Sequence, residues 1–150
     1  MTCPALTQQA AAAPETARRH PAAAWRCAAA DLPAEPRSVP AARRLVRLVL
    51  ASWALDGLQD TAEMITSELV TNGIAASEAR YPTVRLRLTC QPCSLLIEAW
   101  DANPGRPELR EGPLDAEHGR GLVLVSALAD NWGCDPADDG GKTMFAVIAR

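Results

Sequence analysis

Ser67-Glu-Leu-Val-Thr-Asn-Gly-Ile-Ala-Ala-Ser77 reads as the second half of a helix with two polar residues set into its apolar stripe. Glu68 and Asn72 stand four apart, a spacing that puts both side chains on one helix face, one turn from each other, where they can converge on a single ligand. An isolated pair at this spacing is ordinarily a solvated glutamate with a passenger asparagine. Here Ile65, Leu69 and Ala76 share the same side, and an unpaired carboxylate or carboxamide among them is costly.

Working outward, Asp60 is placed to cap this helix, with Glu63 three residues on as in a capping box, and Tyr81-Pro82 ends it near residue 78. Upstream, Ala42, Leu45, Val46, Val49 and Trp53 recur at helical spacing opposite Arg43, Arg44 and Arg47. That predicts an amphipathic helix of about four turns, opened at Ser38 or Val39 with Pro40 in its first position and closed by Asp56-Gly57. Trp25 to Leu32 fits an edge strand broken by Pro33 and Pro36. Residues 1–23 carry no apolar period and are expected to be a disordered leader or partner-binding arm, leaving 24–150 as one domain.

Downstream, Thr83 to Thr89 alternates strictly, with Val84, Leu86 and Leu88 inward and Arg85 and Arg87 outward. A four-residue turn joins it to the more apolar strand Ser94 to Trp100. Asp101 follows at the strand end, then Ala-Asn-Pro-Gly105, and a long loop rich in Pro, Gly and charge up to His118. A loop of that length in a compact domain is more often a functional lid than a connection. Leu122 to Ala129 suits a buried helix, Trp132 to Cys134 a short strand, Asp138 to Gly141 a hairpin turn, and Thr143 to Ala149 a last core strand.

Composition narrows the function classes. The chain has 150 residues, enough for one domain with a core, and a net charge of -3. Lys142 is the only lysine among 15 basic residues, and no concentrated basic surface favours direct nucleic-acid binding. No stretch approaches a membrane span and no signal peptide opens the chain, so a cytoplasmic protein is expected. Five scattered cysteines, Cys3, Cys27, Cys90, Cys93 and Cys134, do not form a secreted disulfide framework. Cys90-Gln-Pro-Cys93 has metal or redox spacing, but it falls where a hairpin turn is expected and has no second pair to complete a zinc shell.

Four separated pieces therefore stand in order. They are Glu68 with Asn72 on a helix, Asp101-x-x-x-Gly105 at a strand end, Gly119-x-Gly121 opening a helix, and Gly141-Lys-Thr143 entering the last strand. Physically the set suits a nucleotide held with a divalent cation. Gly119 and Gly121 let backbone approach polyphosphate, and the N–H groups of the helix they open stabilise its charge. The Asn72 carbonyl oxygen is a hard ligand of the kind Mg²⁺ accepts. Asp101 can accept from an exocyclic amino group, which selects adenine over guanine.

Ser67-Glu-Leu-Val-Thr-Asn72, Trp100-Asp101 to Gly105, Gly119-Arg-Gly-Leu-Val-Leu-Val-Ser-Ala-Leu-Ala-Asp-Asn-Trp132 and Gly141-Lys-Thr143 resemble the N, G1, G2 and terminal boxes of the histidine-kinase-like ATPase superfamily. Within it, the chain is similar to stand-alone bacterial anti-sigma-factor serine/threonine kinases and small ATP-binding regulatory relatives, over about residues 31–150. The resemblance implies a Bergerat-type α/β fold, a two-layer sandwich of a mixed, mostly antiparallel sheet under a layer of helices. It implies ATP and Mg²⁺ as cofactors, Asn72 as the metal ligand, Asp101 as the adenine reader and Gly105 as the turn that brings backbone to the base. It makes Gly119, Arg120, Gly121 and Leu122 the phosphate loop, Thr143 a second adenine-side contact through water, and Glu68 the general base.

The implied partners are a sigma factor or an anti-sigma antagonist, with a homodimer also open. Relatives often carry a basic pair after the N box, where this chain has Ala75-Ala76. Arg120 or Lys142 would restore that charge, unless both are surface residues. Two function classes follow: a protein kinase, and an ATP-binding interaction module without significant turnover. The catalytic half of a sensor histidine kinase is disfavoured, because neither His20 nor His118 lies on a recognisable dimerisation helix.

Overall fold

The computed structural model describes residues 25–77, 82–105 and 120–150. The expected leader over 1–23 and most of the expected lid therefore lie outside the described residues. Five strands form one sheet: β1 (Arg26–Pro33), β2 (Thr83–Cys90), β3 (Ser94–Asp101), β4 (Asn131–Pro136) and β5 (Lys142–Ala149). Their order is β1-β2-β3-β5-β4, and each of the four ladders is antiparallel. This agrees with the expected mostly antiparallel sheet: among the described residues β5 settles between β3 and β4. Those two run in the same direction but never become hydrogen-bonded neighbours.

The alternation read in β2 sets the two faces. Val84, Leu86, Leu88 and Cys90 face the same side as their cross-strand partners Asp101, Ala99, Ile97 and Leu95, and all eight are buried. In β5 Lys142, Met144, Ala146 and Ile148 continue that face. Helices α1 (Ser38–Ser52), α2 (Gln59–Ala76) and α3 (Arg120–Leu128) cover it, with α2 central against β3 and flanked by the other two. Fully buried Val46, Leu50, Ile65, Leu69, Val70 and Val125 supply the helical half of the core. Each side chain of that size contributes about 1.5–3 kcal/mol on burial. The result is the two-layer α/β sandwich expected from the sequence.

Helix ends depart from the sequence reading. Helix α1 starts at Ser38, so Pro40 is its third residue, where the backbone N–H needs no partner anyway. It stops at Ser52 through a Schellman turn, not at Asp56-Gly57. The Leu55 N–H donates to the Leu50 carbonyl (2.9 Å), the Ala54 N–H donates to the Ala51 carbonyl (3.0 Å), and Ala54 takes the left-handed φ of 57°.

A 3₁₀ turn, Asp56–Leu58, then leads straight into α2, whose first residue is Gln59 with no side-chain cap. The predicted capping box does not form. Glu63 instead takes two hydrogen bonds from Arg47 of α1, both 2.8 Å, and these raise the Arg47 guanidinium above its ordinary value.

The opposite sheet face is uncovered among the described residues and holds cross-strand pairs. Arg85 donates to Asp31 of β1 (2.6 Å) and lies over the Trp100 ring at 5.4 Å, and Arg87 makes two bonds to Glu98. All three are direct neighbours in the register, the geometry in which such pairs stabilise a sheet. At the β2–β3 hairpin the Gln91 N–H donates to the Ser94 carbonyl (2.8 Å) across Pro92-Cys93. Cys90 is buried in the core while Cys93 is exposed, and both are free thiols.

Candidate nucleotide site

Two glycines bring the helical half of the site together. Gly73 is buried in α2, and a Cβ there would stand 3.0 and 3.1 Å from the two methyl groups of Val84, so its absence lets the end of α2 lie close on β2. Gly121, the second residue of α3, faces Glu68. The space a Cβ would fill is taken by the Glu68 carboxylate. Glu68 is therefore held at the N-terminal turn of α3, where the helix dipole favours a negative group.

One turn further along α2, Asn72 is half-buried, and its Nδ2 is enclosed without a hydrogen-bond partner. Which end of a carboxamide is nitrogen is decided by its partners, so the unpartnered end of the Asn72 amide can equally be its carbonyl oxygen, offered to a ligand. That fits a divalent cation. Among the described residues no group of three His, Cys, Asp or Glu could hold a metal. A cation here would take its remaining ligands from phosphate and water, as Mg²⁺ does in nucleotide sites.

The other half is built at the ends of β3 and β5. Asp101, 1 % exposed, accepts from Lys142 Nζ and from the Asn103 N–H through the same oxygen, Oδ1, both at 2.9 Å. Its Oδ2 is buried without a partner. An orphaned buried carboxylate oxygen costs free energy unless a donor reaches it, and an exocyclic amino group is such a donor.

Asn103 fastens this turn to the helix layer. Its Nδ2 donates to the Ala76 carbonyl at the end of α2 (2.8 Å), and its Oδ1 accepts from the Gly105 N–H (2.8 Å). Gly105 itself is exposed. Gly141 completes the closure, because any Cβ there would run into the Asp101 carbonyl oxygen and lie 2.9 Å from Trp100 Nε1.

Of the residues singled out from the sequence, Glu68 and Gly121 are in contact. Asn72 lies on the same helix as Glu68, and Asp101 is joined to the end of that helix through Asn103. Leu122 is buried in the core at the start of α3. Gly119 lies outside the described residues, as does His118, and of Arg120 only the helical backbone is described.

Thr143 is placed apart from the other predicted adenine-side residues. It lies on the uncovered face in a hollow with Arg85, Arg87, Glu98 and Trp100, and the sheet separates it from Asp101. Strand alternation is the reason: Lys142, one residue earlier, is the cross-strand partner of Asp101 and takes the inward position. Lys142 is accordingly neither a surface charge nor a free cation for phosphate, since it is 5 % exposed and bonded to Asp101 and to the Asn103 carbonyl.

Sequence reasoning passed over Asn103, read only as turn former. Its signal was local: Asp-x-Asn is a pattern in which the first side chain accepts from the backbone two residues on.

No helix among the described residues is long and apolar enough to cross a membrane. No curated protein matches the chain. The sequence profile of the histidine kinase-like ATPase domain matches residues 32–147, which takes in every described element from the end of β1 to the last strand. An orphaned carboxylate acceptor on Asp101, a carboxamide end without a partner on Asn72 and a glycine-opened helix suit a nucleotide, and with that match the chain belongs to the histidine kinase-like ATPase domain family, as an ATP-binding domain.

Proposed function

We propose that this chain is an ATP- and Mg²⁺-dependent protein serine/threonine kinase of the anti-sigma-factor type. In this reading it acts in the cytoplasm, regulates transcription by holding a sigma factor, and is countered by the antagonist it phosphorylates. The observation that carries the reading is the Glu68 carboxylate, seated against Gly121 one turn from Asn72.

Each residue has a distinct task. Asp101 Oδ2 accepts from the adenine amino group. The first N–H groups of α3 stabilise phosphate charge. Asn72 would hold Mg²⁺, which when bound neutralises charge on the phosphates. Glu68 accepts the proton of the attacking serine or threonine hydroxyl, whose oxygen bonds to the terminal phosphorus as the bond to ADP breaks. Positioning and charge neutralisation supply most of the acceleration in such transfers.

The direct test incubates the protein with labelled ATP and candidate antagonist proteins. Transfer to a serine or threonine supports the kinase; absence of transfer to any of them with ATP binding intact refutes it.

A second reading, an ATP-dependent interaction module without significant turnover, draws on two observations. The last turn of α2 carries no basic residue, and Lys142 is engaged with Asp101. In that case Glu68→Gln leaves control of the partner unchanged while Asn72→Ala and Asp101→Asn abolish it. Loss of control in Glu68→Gln alone rules the module out.

A further inference from the structure

The polar cluster at the base end contains one member that the reading above leaves without a task. Lys142 opens β5, is 5 % exposed, and places its ammonium 2.9 Å from Asp101 Oδ1 and 2.9 Å from the Asn103 carbonyl. The Asn103 N–H reaches the same Oδ1, and the Asn103 side chain continues to the Ala76 carbonyl. The ends of β3, β5 and α2 thus share one buried network in which the Lys142 and Asn103 donors fall on one oxygen of Asp101. The other oxygen is left bare.

We infer that Lys142 is a specificity-determining positioning residue: by taking Asp101 Oδ1 it leaves Oδ2 as the acceptor offered to the base, and so commits the site to adenine against bases that carry an oxygen there. The inference rests on the adenine-nucleotide reading of the site and deepens it.

The physical argument has two parts. An ionised carboxylate accepts only, so a carbonyl oxygen facing Oδ2 meets a buried like partner and leaves it unsatisfied, whereas an amino group satisfies it. That discrimination requires the carboxylate plane to be fixed, and a buried ammonium with a backbone N–H on one oxygen fixes it. Without the ammonium, Asp101 is a buried charge with no counter-ion, and its orientation is set by one N–H alone.

Lys142 is the only lysine of the chain, so isotopically labelled lysine gives a single side-chain ammonium signal. The test measures binding of ADP and of IDP, which carry an amino group and an oxygen respectively at C6 of the base, the oxygen form also holding a proton on N1, to the full chain and to Lys142→Met. In the native chain ADP is bound more tightly than IDP. In folded Lys142→Met the ratio of the two affinities falls by roughly tenfold or more, the worth of one buried hydrogen bond to a charged group. An unchanged ratio in the folded variant overturns the inference.

If Lys142→Met does not fold, the ammonium signal of the native chain decides. Displacement by saturating ADP and not by pyrophosphate supports the inference, and a signal indifferent to saturating ADP overturns it. Failure of the native chain to bind either nucleotide overturns the adenine reading and the inference with it. That result is distinct from failure of the inference alone, in which ADP binding stays intact.

Discussion

Replacing Gly121 by alanine separates the fold of this site from its chemistry. The added Cβ would collide with Glu68 Oε2, and the Glu68 carboxyl carbon would lie at 3.2 Å. Those atoms are the far end of a flexible side chain, so the glutamate turns away and the backbone stays. A displaced rotamer costs about 0.5–1.5 kcal/mol. Alanine in place of glycine in a helix returns up to about 1 kcal/mol.

The net change in stability therefore stays within about 1 kcal/mol, a shift in melting temperature of no more than about 4 °C for a chain of this size. The chemistry has no such compensation. In the proposed transfer a positioned general base contributes about 10²–10⁴ in rate, and on that reading turnover in Gly121→Ala should approach that of Glu68→Gln. ADP affinity changes only a few-fold on the same reasoning, since the Glu68 side chain gives way and the backbone N–H groups that open α3 stay in place. Thermal melting, calorimetric ADP binding and ATP turnover on the one variant test the whole chain of reasoning. A melting temperature lowered by more than about 10 °C would mean that the backbone has moved. Undiminished turnover in a folded variant would remove Glu68 from the reaction.

Three further outcomes are expected. Gly141→Ala meets backbone, the Asp101 carbonyl oxygen and Ala102 Cα, so nothing can swing aside; it should lose about 1–3 kcal/mol in denaturant unfolding, and an unaffected midpoint would contradict the close crossing of β5 over the end of β3. Ala54→Gly relieves the left-handed φ at the end of α1 at an exposed position and should raise stability by up to about 1 kcal/mol; a loss would argue against the Schellman turn. The hydrogen bond from Arg85 holds the Asp31 carboxyl below its ordinary 3.8, so this pair favours the folded state above that pH and the contribution is lost as pH falls through the lowered value. Side-chain NMR titration should find Asp31 below 3.8 in the native protein and return it to the ordinary value in Arg85→Ala; an identical midpoint in both would dissolve the pair.

How much of this was legible beforehand divides along the range of the forces involved. Val84, Leu86 and Leu88 announced a strand with one buried face, because a period of two needs no partner to be visible. Glu68 and Asn72 announced a shared helix face for the same reason. Helix ends were less legible, since Asp60 and Glu63 have the spacing of a capping box and still do not form one. A bidentate guanidinium 16 residues upstream is a better partner for Glu63 than a backbone N–H. The stop of α1 at Ser52, with Ala54 and not Gly57 in the left-handed turn, was hidden too, because burial of Leu55 decides where the chain must turn back.

The last strand shows the division most clearly. Gly141-Lys-Thr143 is legible in the sequence as the entry to a last core strand, and only the family resemblance put it on the adenine side with Asp101. Which of Lys142 and Thr143 meets that carboxylate was decided only by the register of β5 on β3, which pairs Asp101 with Lys142 and sends Thr143 through to the other face. Local periodicity determines that neighbours in a strand point to opposite sides. Which side is which belongs to hydrogen bonds between residues 41 apart, formed only when the sheet closes.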